Sequence, residues 1–232
     1  EQVEDERRKG WESDYRMRRY DIKDKKPPSG WKKRYSPPQK VEETRPWNLP
    51  NSWEWVTVDQ LSFKIHYGYT ESSNVEPVGP KFLRITDIQD GKVDWANTPY
   101  CEIGQKERRK YLLDKGDILF ARTGGTVGKS FLVGDAPPES VFASYLIRVL
   151  TVGSINDKYV YLFFHTLDYW RQISEKKVGI GQPNVNATKL SQLVLPLPPL
   201  EEQRKIVSDI ERLLSVTDNA DKTVESEHRR AS

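Results

Sequence analysis

Leu195-Pro196-Leu197-Pro198-Pro199-Leu200-Glu201-Glu202-Gln203-Arg204-Lys205-Ile206 joins a stiff, proline-rich exit to an abrupt helix start. Pro198 and Pro199 lack backbone donors that a first helical turn leaves unpaired anyway, and Glu201 and Glu202 place negative charge at the positive end of the helix dipole. Beyond them Ile206, Ile210, Leu213, Thr217, Ala220 and Val224 alternate by four and three, the spacing of a coiled-coil seam. A seam of this kind requires a partner helix. The stretch therefore marks the point where a globular body, residues 47–199, hands over to a projecting helix, residues 200–232.

Upstream, Asn48-Leu49-Pro50-Asn51-Ser52-Trp53-Glu54-Trp55 opens the body, with its tryptophans expected as core anchors. Thr57 is placed to cap a short amphipathic helix through Phe63. Short apolar or alternating runs bounded by Gly, Pro or Asp predict strands at Lys81–Thr86, Asp117–Ala121, Lys129–Val133 and Val141–Leu150. Asn156 or Asp157 caps a predicted helix through about Ile173, with Val160, Leu162, Phe163, Phe164 and Leu167 on its buried face. Strands mixed with a few helices, without regular βαβ alternation, predict an irregular α+β domain.

The N-terminal segment differs in composition. Residues 1–20 are charged and free of proline, consistent with an exposed helix carrying Glu/Arg pairs, and read as the tail of a preceding element. Between Arg16 and Arg45 stand eleven Lys or Arg against four acids, and Pro27, Pro28, Pro37 and Pro38 interrupt regular structure. Residues 21–46 thus read as a basic, semi-extended linker. Lys32, Lys33 and Arg34 are its candidates for touching nucleic-acid phosphates; the competing reading is a solvated connector.

With 232 residues, 36% of them hydrophobic and 31% charged, the chain can bury one sizeable core and carry solvated extensions. The single Cys101 excludes an internal disulfide, and His66, His165 and Cys101 lack metal-ligand spacing. No run approaches the roughly 20 apolar residues of a membrane span, and no signal-peptide pattern opens the chain, so a cytoplasmic location without membrane partners is expected.

Two segments imitate enzyme motifs. Gly124-Gly125-Thr126-Val127-Gly128-Lys129-Ser130 approaches a phosphate-binding loop, but the register places Thr123 where its first glycine belongs, and a strand rather than a helix is expected to follow. Asn97-Thr98-Pro99-Tyr100 approximates the loop with which adenine methyltransferases hold a flipped base, yet no Gly-rich turn follows an upstream apolar strand. A proline-containing turn is the expected reading of the latter. No nucleophile stands in an activating context, so the chain reads as a binding protein rather than an enzyme.

The Leu195–Ile206 junction resembles that of type I restriction-modification specificity subunits, in which target recognition domains end in long spacer helices. The resemblance extends to Phe82-Leu83-Arg84-Ile85-Thr86-Asp87-Ile88, to Lys115-Gly116-Asp117-Ile118-Leu119-Phe120-Ala121-Arg122-Thr123-Gly124, and to Gly181-Gln182-Pro183-Asn184-Val185-Asn186, in the family's order. It implies a DNA target recognition domain that reads one half of a bipartite site on double-stranded DNA. Its implied partners are modification subunits that carry S-adenosylmethionine, restriction subunits that use ATP, and a second recognition domain in a longer parent chain or in a homodimer. The chain itself is expected to hold no cofactor and no metal. For DNA contact, Arg84, Arg122 and Lys129 can supply charge, and Thr123, Ser144, Tyr145, Gln182 and Asn184 hydrogen bonds; the competing reading is that these residues are scaffold. Loops at Tyr67–Pro80, Ile88–Arg109 and Arg171–Ile180 are further candidates for base reading. An assembly module that binds only proteins is the alternative from another class.

Overall fold

The computed structural model describes residues 1–41, 47–134, 137–176 and 184–231, with side chains described as far as Thr217. The first half of the chain holds α1 (Gln2–Arg19), β1 (Glu54–Thr57), α2 (Val58–Leu61), β2 (Ser62–Tyr67), β3 (Lys81–Leu83), β4 (Ile88–Gln89), β5 (Lys92–Val93) and α3 (Gln105–Arg108). The second half continues through β6 (Ile118–Ala121), β7 (Ser130–Leu132), β8 (Ser140–Phe142) and β9 (Leu146–Thr151). It closes with α4 (Asp157–Phe163), α5 (Leu167–Lys176), α6 (Ala187–Ser191), β10 (Val194–Leu197) and α7 (Leu200–Ala231). The architecture is α+β, an irregular mixed domain followed by a long helix.

The central sheet is antiparallel, in the order β2-β9-β6-β7. All four residues of β6 are buried because both of its faces are covered. Alternate strand side chains point to opposite sides: Ile118 and Phe120 join Ile147, Val160, Phe163, Tyr169 and Leu190 in the larger core, whereas Leu119 and Ala121 join Leu83, Phe131, Phe142 and Leu146 in a second one. Arg148 falls on that second side of β9, opposite Leu119, where it pairs with Asp117. Outside this sheet β3 pairs in parallel with β8, and β4 with β5 as a hairpin.

The start and end of the body are zipped together, β1 running antiparallel to β10 from Glu54↔Leu197 to Thr57↔Val194. Pro196 is tolerated in this two-stranded ribbon because an edge position need not donate. Leu200 then starts α7, whose first turns pack against α4. Gln203 and Val207 of α7 are buried, Ile206 and Ile210 are half-buried, and Leu213 and Thr217 are exposed. The side chains of Ala220 and Val224 lie outside the described residues.

Several expectations are corrected. Thr57 does cap α2, its hydroxyl accepting Gln60 N–H at 3.2 Å, but the helix stops at Leu61 and Ser62–Tyr67 is a strand. The predicted strand Val141–Leu150 is two, because Ala143-Ser144-Tyr145 turns between β8 and β9. The helix begun at Asn156 ends at Phe163, and α5 restarts at Leu167 after Thr166 back-bonds to the Phe163 carbonyl at 2.8 Å. Trp53 and Trp55 are half-buried and Trp47 is 45% exposed, so the tryptophans border the core rather than fill it.

Nor is α1 a solvated tail. A Cβ at Gly10 would lie 2.6 Å from the Phe63 ring, so α1 crosses β2 in close contact. Buried Arg7 pairs with Asp59 at 2.8 Å and donates to Tyr35 Oη at 2.8 Å. Lys64 reaches Asp14 at 2.6 Å. The linker folds back in 3-10 turns at Asp21–Lys23 and Trp31–Arg34, where Trp31 stacks on Tyr15 with ring centres 5.8 Å apart. The two turns and the aromatic anchor on α1 thus interrupt the semi-extended path as far as Arg34, whereas Tyr35 is extended and residues 36–41 form no helix or strand.

Candidate nucleic-acid interface

At the end of β6 the chain brings together residues remote in sequence. The backbone N–H of Arg122 donates to Tyr145 O at 3.2 Å, and its carbonyl accepts Val185 N–H at 3.0 Å. Thr123 forms an isolated antiparallel bridge with Asn184. The Arg122 guanidinium lies over the Tyr67 ring, 4.6 Å from its centre, with Nη1 3.5 Å from Ser144 O. Arg122 Nε is buried without a hydrogen-bond partner among the described residues. Tyr67 is itself anchored, its hydroxyl accepting Ala187 N–H at 3.0 Å at the start of α6. Stacking on an aromatic face holds a guanidinium's donor edge in a fixed direction, which suits planar recognition of phosphate or guanine.

Five predicted residues, Arg122, Thr123, Ser144, Tyr145 and Asn184, therefore meet in one cluster, and Tyr145 stands 62% exposed beside it. Arg84 lines an adjoining cavity of about 340 Å³ together with Tyr69, Ser144 and Tyr145. Its guanidinium is engaged by Asp87 at 2.8 Å, while the same carboxylate accepts the Arg84 backbone N–H at 2.8 Å. That reciprocal box makes Arg84 a scaffold residue first. Lys129 is exposed at the start of the β7 arm, and Gln182 lies outside the described residues. Lys32 pairs with Glu12 at 2.5 Å, whereas Lys33 and Arg34 are exposed.

Beneath the cluster, Arg148 and Asp117 form a buried pair at 2.8 Å. Burial pushes the Asp117 carboxyl up from its ordinary range, opposed by Arg148. Arg148 Nε also donates to His66 Nε2 at 3.0 Å. An arginine can only donate, so the imidazole proton sits on Nδ1 and points to Tyr67 O at 3.0 Å. Burial, reinforced by Lys64 and Arg148, pushes His66 down to about 2 and keeps it neutral.

The enzyme-like segments behave as turns. Gly124–Thr126 is a 3-10 turn that leads into β7, not into a helix, and Gly128 is dictated by packing, since its φ is +92° and a Cβ would meet Trp170 at 2.8 Å. Asn97 Nδ2 donates to Asp94 at 2.6 Å in a local turn. No group of His, Cys, Asp and Glu that could hold a metal occurs among the described residues.

Tyr67 and Tyr69, which shape the cluster, fall at the start of the Tyr67–Pro80 stretch expected as a base-reading loop, but neither was named individually from the sequence. The alternation Ser62-Phe63-Lys64-Ile65-His66-Tyr67 was the available signal for the strand that presents Tyr67.

The sequence model for the type I restriction modification DNA specificity domain matches residues 54–226. The chain belongs to that family. It is 29% identical over 186 residues to a protein described as the type I restriction enzyme MjaX specificity subunit of Methanocaldococcus jannaschii, covering 76% of this chain and 43% of that protein. The EcoKI specificity subunit of Escherichia coli is 26% identical over 174 residues, covering 73% of this chain and 38% of the relative. The HsdS subunit from Thermoanaerobacter tengcongensis shares the fold at a TM-score of 0.58 and 19% identity, over 92% of this chain and 46% of its own. The chain thus spans less than half the length of these relatives. Within this specificity-domain family, the β1–β10 ribbon and the start of α7 fall inside the matched region, whereas α1 and the linker precede it.

Proposed function

We propose that this chain reads one half of a bipartite DNA site for a type I restriction-modification complex, without catalysing a reaction itself. Membership of the specificity-domain family supports the reading. The observation that carries it is the guanidinium of Arg122 held over the Tyr67 ring beside exposed Tyr145 and the Thr123–Asn184 bridge. Base reading requires donors held rigidly at a surface, and phosphate contacts alone cannot supply it. In this proposal residues 47–199 form the recognition domain, 200–232 the spacer helix, 21–46 the linker and 1–20 the tail of a preceding spacer. Modification subunits bring S-adenosylmethionine and restriction subunits ATP, and the complex works in the cytoplasm. Among the described residues, no helix is long and apolar enough to cross a membrane.

Selection from a random duplex library tests the reading, with the chain alone and with a modification subunit added. Enrichment of one sequence is expected, and Arg122→Ala should weaken the enriched duplex by about 1–3 kcal/mol while leaving random duplex nearly unchanged. Failure to enrich any sequence under either condition would overturn the proposal.

A further inference from the structure

We infer that cations of the N-terminal helix and linker form a phosphate track for duplex DNA that leads into the Arg122 cluster. Two grooves carry it. In the first, of about 410 Å³, Arg18, Arg19 and Lys23 face Lys64 and Lys110 of the body across a floor that includes Tyr67. The second, of about 240 Å³, lies among Arg19, Lys23, Lys25, Arg34 and the rings of Tyr15 and Tyr20. Arg19 and Lys23 line both grooves, which makes the surface continuous, and no carboxylate lines either one.

The nearest acids are already engaged. Asp14 is held by Arg18 and Lys64, each at 2.6 Å, and Asp21 by Arg16 at 3.4 Å. Asp24 is held by Lys106 and Glu107 by Lys110, each at 2.5 Å. Exposed Arg19, Lys23, Lys25 and Arg34 have no carboxylate partner among the described residues. Like charges so arranged repel one another, yet the fold keeps them together. Trp31 lies nearly parallel to Tyr15, at 9°, and fixes the linker turn that bears Arg34 against the helix that bears Arg19.

A compact anion would meet only part of a surface that spans both grooves. A duplex backbone presents phosphates at regular short intervals, and lysines and arginines that neutralise them release condensed counterions. The track ends at Tyr67, the same ring that carries the Arg122 guanidinium, so phosphates bound along it would set the register in which Arg122 meets a base edge. The inference rests on the DNA-reading role proposed above. It differs from a free linker strip at Lys32 and Lys33, because these cations are placed by folded structure.

Fluorescence anisotropy of the full chain on a labelled random-sequence duplex, through a salt series, tests the track. Replacing Arg19, Lys23 and Lys25 by Gln should weaken binding about tenfold or more and flatten the salt dependence by about 0.9 for each phosphate that is no longer neutralised. All three side chains are exposed, so circular dichroism and melting should not change. A charge-matched control, with Arg204, Lys205 and Arg212 of α7 replaced by Gln, should bind as the unaltered chain does. Equal weakening in that control would reduce the effect to net charge and overturn the track. So would unaltered binding by the first variant, which leaves the enrichment experiment on Arg122 standing, or tighter binding of single-stranded RNA than of duplex. If the unaltered chain binds no duplex at any salt concentration, the DNA-reading role falls together with the track.

Discussion

Gln203 of α7 accepts the backbone N–H of Asn156 at 2.9 Å, and so ties the start of the projecting helix to the cap of α4. Its Nε2 donates to Pro198 O at 2.8 Å, and the side chain is buried. Asn156 in turn caps α4 by accepting Lys158 N–H at 3.0 Å. Next to it, Trp53 Nε1 donates to Glu202 at 3.0 Å, which fastens the opening strand segment to the same helical turn. The direction of α7 is thereby set by polar contacts at its base.

Truncating Gln203 to Ala leaves a carbonyl and an N–H of that junction without their partner. Urea unfolding should show a drop of about 1–3 kcal/mol. An unfolding midpoint equal to that of the unaltered chain would show that the junction is replaceable by water.

Neutral His66 makes stability depend on pH in a defined direction. Its folded pKa is depressed to about 2, whereas an unfolded histidine titrates near 6.5. The contribution is fully present above the unfolded value and is lost as pH falls below it, by about 1.4 kcal/mol per pH unit. Unfolding free energies at pH 7 and pH 5 should therefore differ by about 2 kcal/mol more in the unaltered chain than in His66→Gln, the carboxylates being common to both. Parallel pH profiles would contradict an imidazole held neutral in the fold.

Leu213 and Thr217 continue the seam begun by Ile206 and Ile210, but both are exposed, with Leu213 at 59%. Leu213→Asp combined with Thr217→Asp should leave the melting transition of the body in place and abolish association with a second recognition half or a modification subunit in size-exclusion and pull-down assays. Retained association would assign the partner contact to another surface.

Local chemistry was legible in the sequence where neighbouring residues decide the backbone. Thr57 and Asn156 cap the helices they were expected to cap, because the N–H groups they bind lie two or three residues away. The Pro198-Pro199 boundary of α7 and the apolar run of β6 are legible for the same reason. β2 was not. Lys64 and His66 make Ser62–Tyr67 look too polar for a packed strand, and Asp14 from α1 and Arg148 from β9 are the distant groups that pair with them. The Ala143–Tyr145 turn is likewise enforced from a distance, Ala143 N–H donating to Leu83 O and Ser144 N–H to Tyr69 O, both at 2.9 Å. The candidate site divides in the same way. Arg122 is named by its motif, but the ring that orients it, the bridge that flanks it and the cations that approach it arrive from other segments of the chain. Composition and spacing determine caps, breaks and apolar runs, since these depend on interactions within a few residues. Tertiary packing decides which polar groups are neutralised and which remain open to a ligand, because burial and ion pairing act through space between segments that the sequence keeps apart.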